Sequence, residues 1–176
     1  MRYANIKWND IANAPGVCVS VYLQGCPIRC KGCHNQSIWD FGGGEVLTQE
    51  VIDSIVQRLT ANDVQRGLCI LGGEPLCKEN LPATCILVMQ TKEKTNSKIY
   101  IWTGYTYEQL LNSLEFYLKN GDIKSYVQLK MILGLADYLI DGPYIEEQRD
   151  ITLKMRGSRN QRIWDLKQKL DITGKI

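Results

Sequence analysis

Cys26, Cys30 and Cys33 fall within eight positions, in "GCPIRCKGCHN". Thiolates so closely spaced suit zinc or an iron–sulfur cluster. A structural zinc site wants four ligands, and the fourth is hard to find. His34 directly follows Cys33, and neighbouring residues rarely turn both side chains to one small tetrahedral ion. The remaining cysteines are distant and form no second C-x₂-C pair. A cubane answers the count differently. Each cysteine takes one iron of a [4Fe–4S] cluster, and the fourth iron is left without protein, open to a substrate or cofactor.

Other residues in the chain have less specific chemistry. "GGEP" at 72–75 ends an apolar run, and taken alone it reads as a strand-to-helix turn. His34 is the only histidine, which makes a serine–histidine–aspartate hydrolase improbable. Cys18, Cys69 and Cys85 lie in apolar surroundings and are expected as small buried hydrophobes. Cys77 lies in a polar loop and receives no role.

Elements must bring these residues together. Val17, Val19, Val21 and Leu23 alternate with Cys18, Ser20, Tyr22 and Gln24, the period of a half-buried strand. "LTQEVIDSIVQRLTAN" predicts a helix with Thr48 as its N-cap. "GLCILGG" predicts a buried strand, "LPATCILVMQTKEK" a helix with Pro82 in its first turn, and "SKIYIWTGY" a further strand. "TYEQLLNSLEFYLKNG" predicts a helix stopped at Gly121. "YVQLKMILG" leans to helix, "ADYLIDGPY" reads as a strand, and the remainder as irregular and short-helical. Strands alternating with helices predict an α/β fold with a parallel sheet. The chain's length suggests a partial, open (β/α) barrel of about five or six parallel strands. Ligands of such sheets sit at the carboxyl ends of the strands. "GCPIRCKGCHN", "GGEP", "WTGY" and "DGPY" each follow a predicted strand, so all four are expected on one rim.

The 176 residues, 44% hydrophobic and 23% charged, suit one domain over 1–176. Residues 143–176 would form a C-terminal tail on that core. A net charge of +2 gives no case for nucleic-acid binding. The tail is more basic, with eight Lys or Arg against five Asp or Glu from Pro143 to Ile176. No secretory signal and no run long enough for a membrane helix are visible, so a soluble, cytoplasmic protein is expected.

C-x₃-C-x₂-C after a first strand, followed one strand later by "GGEP", resembles the radical S-adenosylmethionine (SAM) superfamily. "CHNQSIWD" at 33–40 is similar to the glycyl-radical-enzyme activating enzymes. "WTGY" at 102–105, "LIDGPYI" at 139–145 and "RGSRNQRIWDL" at 156–166 resemble those that activate anaerobic ribonucleoside-triphosphate reductase. The resemblance implies that SAM chelates the open iron and is cleaved reductively to a 5′-deoxyadenosyl radical. That radical would take an α-hydrogen from a glycine of the large reductase subunit, with a flavodoxin-like or ferredoxin-like protein as reductant.

It also implies site roles. Cys26, Cys30 and Cys33 hold the cluster, and Gly72 and Gly73 admit the methionyl part closely. Glu74 accepts from its ammonium. Asp141 helps hold the carboxylate indirectly, Trp102, Thr103, Gly104 and Tyr105 line the pocket, and Arg156, Arg159, Asn160 and Arg162 meet the partner. The superfamily usually has an aromatic residue at the position of Gly32, near the adenine; here Gly32, Cys33 and His34 would surround it, with His34 doing the packing. Ala14 replaces a frequent Gly. The alternatives are a pyruvate formate-lyase activase-like enzyme, a 7-carboxy-7-deazaguanine synthase-like enzyme, and a non-catalytic iron–sulfur carrier. The carrier would normally have a fourth cysteine and no reason for "GGEP".

Overall fold

Apolar runs with short polar breaks fold as read, into strands joined by helices. The structure, a computed structural model, describes residues 1–175; Ile176, the last position of the expected tail, lies outside the described residues. In chain order the strands are β1 (Arg2–Asp10), β2 (Cys18–Leu23), β3 (Glu45–Val46), β4 (Gly67–Gly72), β5 (Ile99–Trp102), β6 (Tyr138–Asp141), β7 (Arg162–Asp165) and β8 (Leu170–Asp171). The helices are α1 (Gln49–Leu59), α2 (Leu81–Lys94), α3 (Tyr107–Lys119) and α4 (Ile123–Leu135).

Thr48 caps α1, its hydroxyl accepting from the Val51 amide at 3.4 Å. Pro82 lies in the first turn of α2, where its missing N–H costs nothing. Thr106 and Gln109 close a reciprocal capping box on α3. The segment that leaned to helix is α4.

All eight strands form one open sheet, in the order β3-β1-β2-β4-β5-β6-β7-β8. Only β2, β4, β5 and β6 are mutually parallel, so the parallel core has four strands rather than five or six. β1 returns antiparallel on β2, and β7 antiparallel on β6. The tail, expected to be irregular and short-helical, thus supplies β7 and β8. Its strands are too short, at four and two residues, to show a period.

Buried residues of all four helices pack on Val19, Val21, Leu23, Leu68, Ile70, Ile99, Ile101 and Leu139, on one face of the sheet. The other face carries Cys18, Cys69, Leu71, Tyr100 and Ile140. It continues through Ile163 of β7, the partner of Ile140 in the sheet, and is covered by Ala14 and by Met155 and Ile172 of the tail. This second cover explains why β2 is buried on both faces except at Tyr22, rather than half-buried. Sequential parallel order with every helix on one face puts the four carboxyl ends side by side. Among the described residues no helix is long and apolar enough to cross a membrane.

Candidate functional site

The loops leaving β2, β4, β5 and β6 surround an open cavity of about 230 Å³. Cys26, Cys30, Cys33 and His34 line it from the first loop, and Gly72, Gly73 and Glu74 from the second. Trp102, Thr103 and Gly104 come from the third, and Gly142 and Tyr144 from the fourth. The tail adds Gly157 and Gln161.

The Asn35 amide donates to the Cys33 Sγ at 3.4 Å, and the backbone N–H groups of Ile28 and Arg29 lie near the Cys26 sulfur and that of Tyr144 near Cys30. Burial pushes the Cys26 and Cys30 thiols up, so these sulfurs ionise readily only beside a cation such as iron. Among the described residues no three Cys, His, Asp or Glu side chains close on a single metal ion. The three thiols share a cavity without meeting at a point. Thiol donors with amide hydrogen bonds to sulfur fit an iron–sulfur cluster, whose properties such bonds tune.

The second loop presses against the first. The Gly73 amide donates to the Leu23 carbonyl at 2.8 Å, and the Glu74 amide to the Gly25 carbonyl at 2.8 Å. A Cβ on Gly73 would lie 2.2 Å from the Gly25 carbonyl oxygen, so only glycine permits this approach. Glu74 is 1% exposed. Its carboxylate accepts from the Thr103 hydroxyl at 2.7 Å, the Gly104 amide at 2.7 Å and the Leu76 amide at 2.9 Å. Burial pushes this carboxyl up to about 7, against the pull of those three donors. Glu74 therefore ties the β4 and β5 loops together as well as facing the cavity.

Several expected site residues lie elsewhere. Asp141 is fully buried and does not line the cavity. Its carboxylate takes the Arg162 Nε at 3.1 Å and Nη2 at 2.5 Å, and the Tyr107 amide at 2.7 Å. With these donors facing it, it braces β6, β7 and the start of α3. Gly32 is not in the cavity wall either. It has a φ of +71°, which strains any residue with a Cβ, and a Cβ there would meet only the movable end of the exposed Glu146 side chain. Tyr105 packs on the helix-side core. Arg156, Arg159, Asn160 and Arg162 all hydrogen-bond within the chain, to Gln161, Asp150, Pro143 and Glu108 or Asp141.

Residues 12–164 match a family model described as a 4Fe-4S single cluster domain. The anaerobic ribonucleoside-triphosphate reductase-activating protein of Vibrio cholerae serotype O1 is 37% identical over 163 residues, covering 92% of this chain and 96% of that protein. The protein of that name from Enterobacteria phage T4 is 34% identical over 166 residues, 93% of this chain and 94% of its own length. The one from Escherichia coli K12 is 30% identical over 169 residues, 95% and 100%. The chain belongs to this family of reductase-activating proteins.

In this member of the activating family, some residues that shape the site carry no sequence signal. Gln161 donates to the Gly142 carbonyl at 3.0 Å and accepts from the Gly157 amide at 2.8 Å, fastening the tail across the fourth loop. Tyr144 stands beside His34 with ring centroids 5.8 Å apart. Asn80 is a loop amide with nothing to mark it, and it is 3% exposed. Cys77, expected in a polar loop, is buried, with its Sγ 3.1 Å from the Glu74 carbonyl.

Proposed function

We propose that this chain is a radical SAM activating enzyme that generates a glycyl radical on an anaerobic ribonucleoside-triphosphate reductase. Cys26, Cys30 and Cys33 would hold one [4Fe–4S] cluster, with SAM as the second ligand of the cavity. The observation that carries the reading is the convergence of the cysteine loop, the Gly72–Gly73–Glu74 turn and the Trp102–Gly104 loop on one cavity.

When bound, the cluster and SAM supply one-electron cleavage of a sulfonium C–S bond, giving methionine and a 5′-deoxyadenosyl radical able to take a glycine α-hydrogen. The chain's own residues supply the setting. Backbone amides near Cys26 and Cys30 partly offset the burial that pushes these two thiols up. The bare backbone of Gly72 and Gly73 admits a ligand closely. Leu71, Ile28 and Trp102 line the cavity with apolar surface and limit water around a reactive species. In this reading the open sheet is a partial barrel whose unclosed side lets a peptide segment of the reductase reach the cavity. A flavodoxin-like or ferredoxin-like protein would supply the electron, in the cytoplasm.

Electron paramagnetic resonance (EPR) of the reconstituted, reduced protein tests this. A [4Fe–4S]¹⁺ signal should change shape on adding SAM, and a glycine-centred radical should follow when the reductase is present. Cys26→Ala, Cys30→Ala and Cys33→Ala should each abolish SAM cleavage, and Cys85→Ala should leave it nearly intact. A signal indifferent to SAM would reduce the protein to an electron carrier.

A further inference from the structure

Asn80 immediately precedes α2, yet its side chain makes no bond to the helix's own free amides. It is 3% exposed and turns instead towards the site. Its Nδ2, with two hydrogens, lies within hydrogen-bond distance of the Gln24 carbonyl at 3.0 Å, the Glu74 carbonyl at 3.0 Å and the Gly25 carbonyl at 3.2 Å, so that one N–H is shared between two of them. Gln24 and Gly25 are the last residues before Cys26, and Glu74 ends the glycine turn. A single carboxamide therefore joins the two loops from beneath.

The Gly25 carbonyl is held twice. It accepts from Asn80 and from the Glu74 amide at 2.8 Å, which occupies both of its lone pairs. Because this peptide leads directly into Cys26, its orientation sets the direction in which the first cysteine leaves β2. The same three carbonyls would be buried with fewer donors if Asn80 were truncated, and buried acceptors left short of partners favour rearrangement.

We infer that Asn80 is a positioning residue: it fixes the spacing between the cysteine loop and the Gly72–Gly73–Glu74 turn, so that one ligand can engage both. This rests on the proposed cluster and SAM sharing the cavity. A ligand held at two points gains from each only if their separation is preset. Loosening the joint should therefore leave cluster assembly intact, because all three thiols remain, and weaken the ligand that spans the two loops.

The test compares wild type, Asn80→Ala, Asn80→Ser and Cys85→Ala, all reconstituted anaerobically. Cys85 is a core residue of α2 and controls for general loosening of that helix. Four quantities are read: iron and sulfide content, the EPR spectrum without SAM, the SAM concentration that half-converts that spectrum, and hydrogen exchange at the Glu74 amide. For Asn80→Ala we expect wild-type iron content and a wild-type spectrum without SAM. Its half-conversion concentration should rise at least tenfold, and its Glu74 amide should exchange faster. Asn80→Ser, which keeps one donor, should give a smaller rise, and Cys85→Ala none. Unshifted half-conversion in whichever Asn80 variant folds overturns the inference, and so does an equal shift in Cys85→Ala. A wild type indifferent to SAM overturns the proposed function and this inference with it. A responsive wild type beside an unshifted Asn80 variant overturns this inference alone.

Discussion

Glu74 shows how burial and hydrogen bonds pull against each other on a single carboxyl in this site. Its carboxyl is pushed up to about 7 by burial, from an ordinary value of 4.5. A group whose folded pKa exceeds its unfolded one contributes stability that is fully present below the unfolded value. That contribution is lost as the pH rises through the folded value. For Glu74 the window runs from about 4.5 to about 7. Glu74→Gln removes this titration. Urea unfolding of cluster-free protein should therefore show wild type losing about 2–3 kcal/mol relative to Glu74→Gln between pH 5 and pH 8. A difference that does not change with pH would mean that the carboxyl is ionised throughout, and that its three donors outweigh its burial. The donors differ in what they join. Leu76 lies two residues on in the same loop, whereas Thr103 and Gly104 belong to the loop after β5. Ionisation of this one group thus bears on how two of the four loops are held.

At the scale of elements, what positions the cysteines is the contact between the β2 and β4 loops. Gly73→Ala should disrupt it more than its size suggests. The new Cβ would meet the backbone oxygen of Gly25 at 2.2 Å, and a backbone atom cannot swing aside as a side chain can. A loss of roughly 2–3 kcal/mol, read from the shift in the urea midpoint, is expected, in the range of overpacked cores. The cluster signal should at the same time lose its response to SAM. Much of this arrangement was legible in the sequence. The apolar runs behind β4, β5 and β6 announced buried parallel strands, and each ended in the glycines or turn residues that line the cavity. β1 was not legible, because its residues are mostly exposed or half-buried and show no clean alternation. The expected residues that do not line the cavity have a common cause. Thr103 lines the cavity while Tyr105 turns into the core, and Gly142 lines it while Asp141 faces Arg162. Where a strand gives way to its loop, one residue separates cavity from core, and sequence spacing does not resolve that step. Asn80 and Gln161 act through carbonyls, which every residue carries, so no pattern of residue types could have pointed to them.

Across the whole molecule, residues 143–175 decide whether the sheet has one core or two. Helices cover one face; on the other, β7 of the tail extends the sheet so that Ile163 lies beside Ile140, and Met155 and Ile172 of the tail join the cluster with Cys18, Cys69 and Tyr100. Ile163 is 1% exposed although it lies in a strand of four residues near the edge of the sheet. If the tail is part of the same cooperative unit, a change there must be felt as a change in the stability of the whole. Ile163→Ala should then cost about 2–5 kcal/mol, the range for truncating a buried isoleucine. Leu170→Ala, at a position 41% exposed, should cost well under half of that. Urea unfolding followed by the fluorescence of Trp164, with Trp8, Trp39 and Trp102 replaced by phenylalanine in the background, and by far-ultraviolet circular dichroism separates the two possibilities, since Trp164 then reports on the tail and the helices dominate the dichroism. One coincident transition, shifted as a whole by Ile163→Ala, would place the tail in the common core. An earlier fluorescence transition that alone moves with the variant would make the tail a separate cover. Gly157 and Gln161 would then leave the cavity wall before the helices melt, and the site would open well below the midpoint of global unfolding.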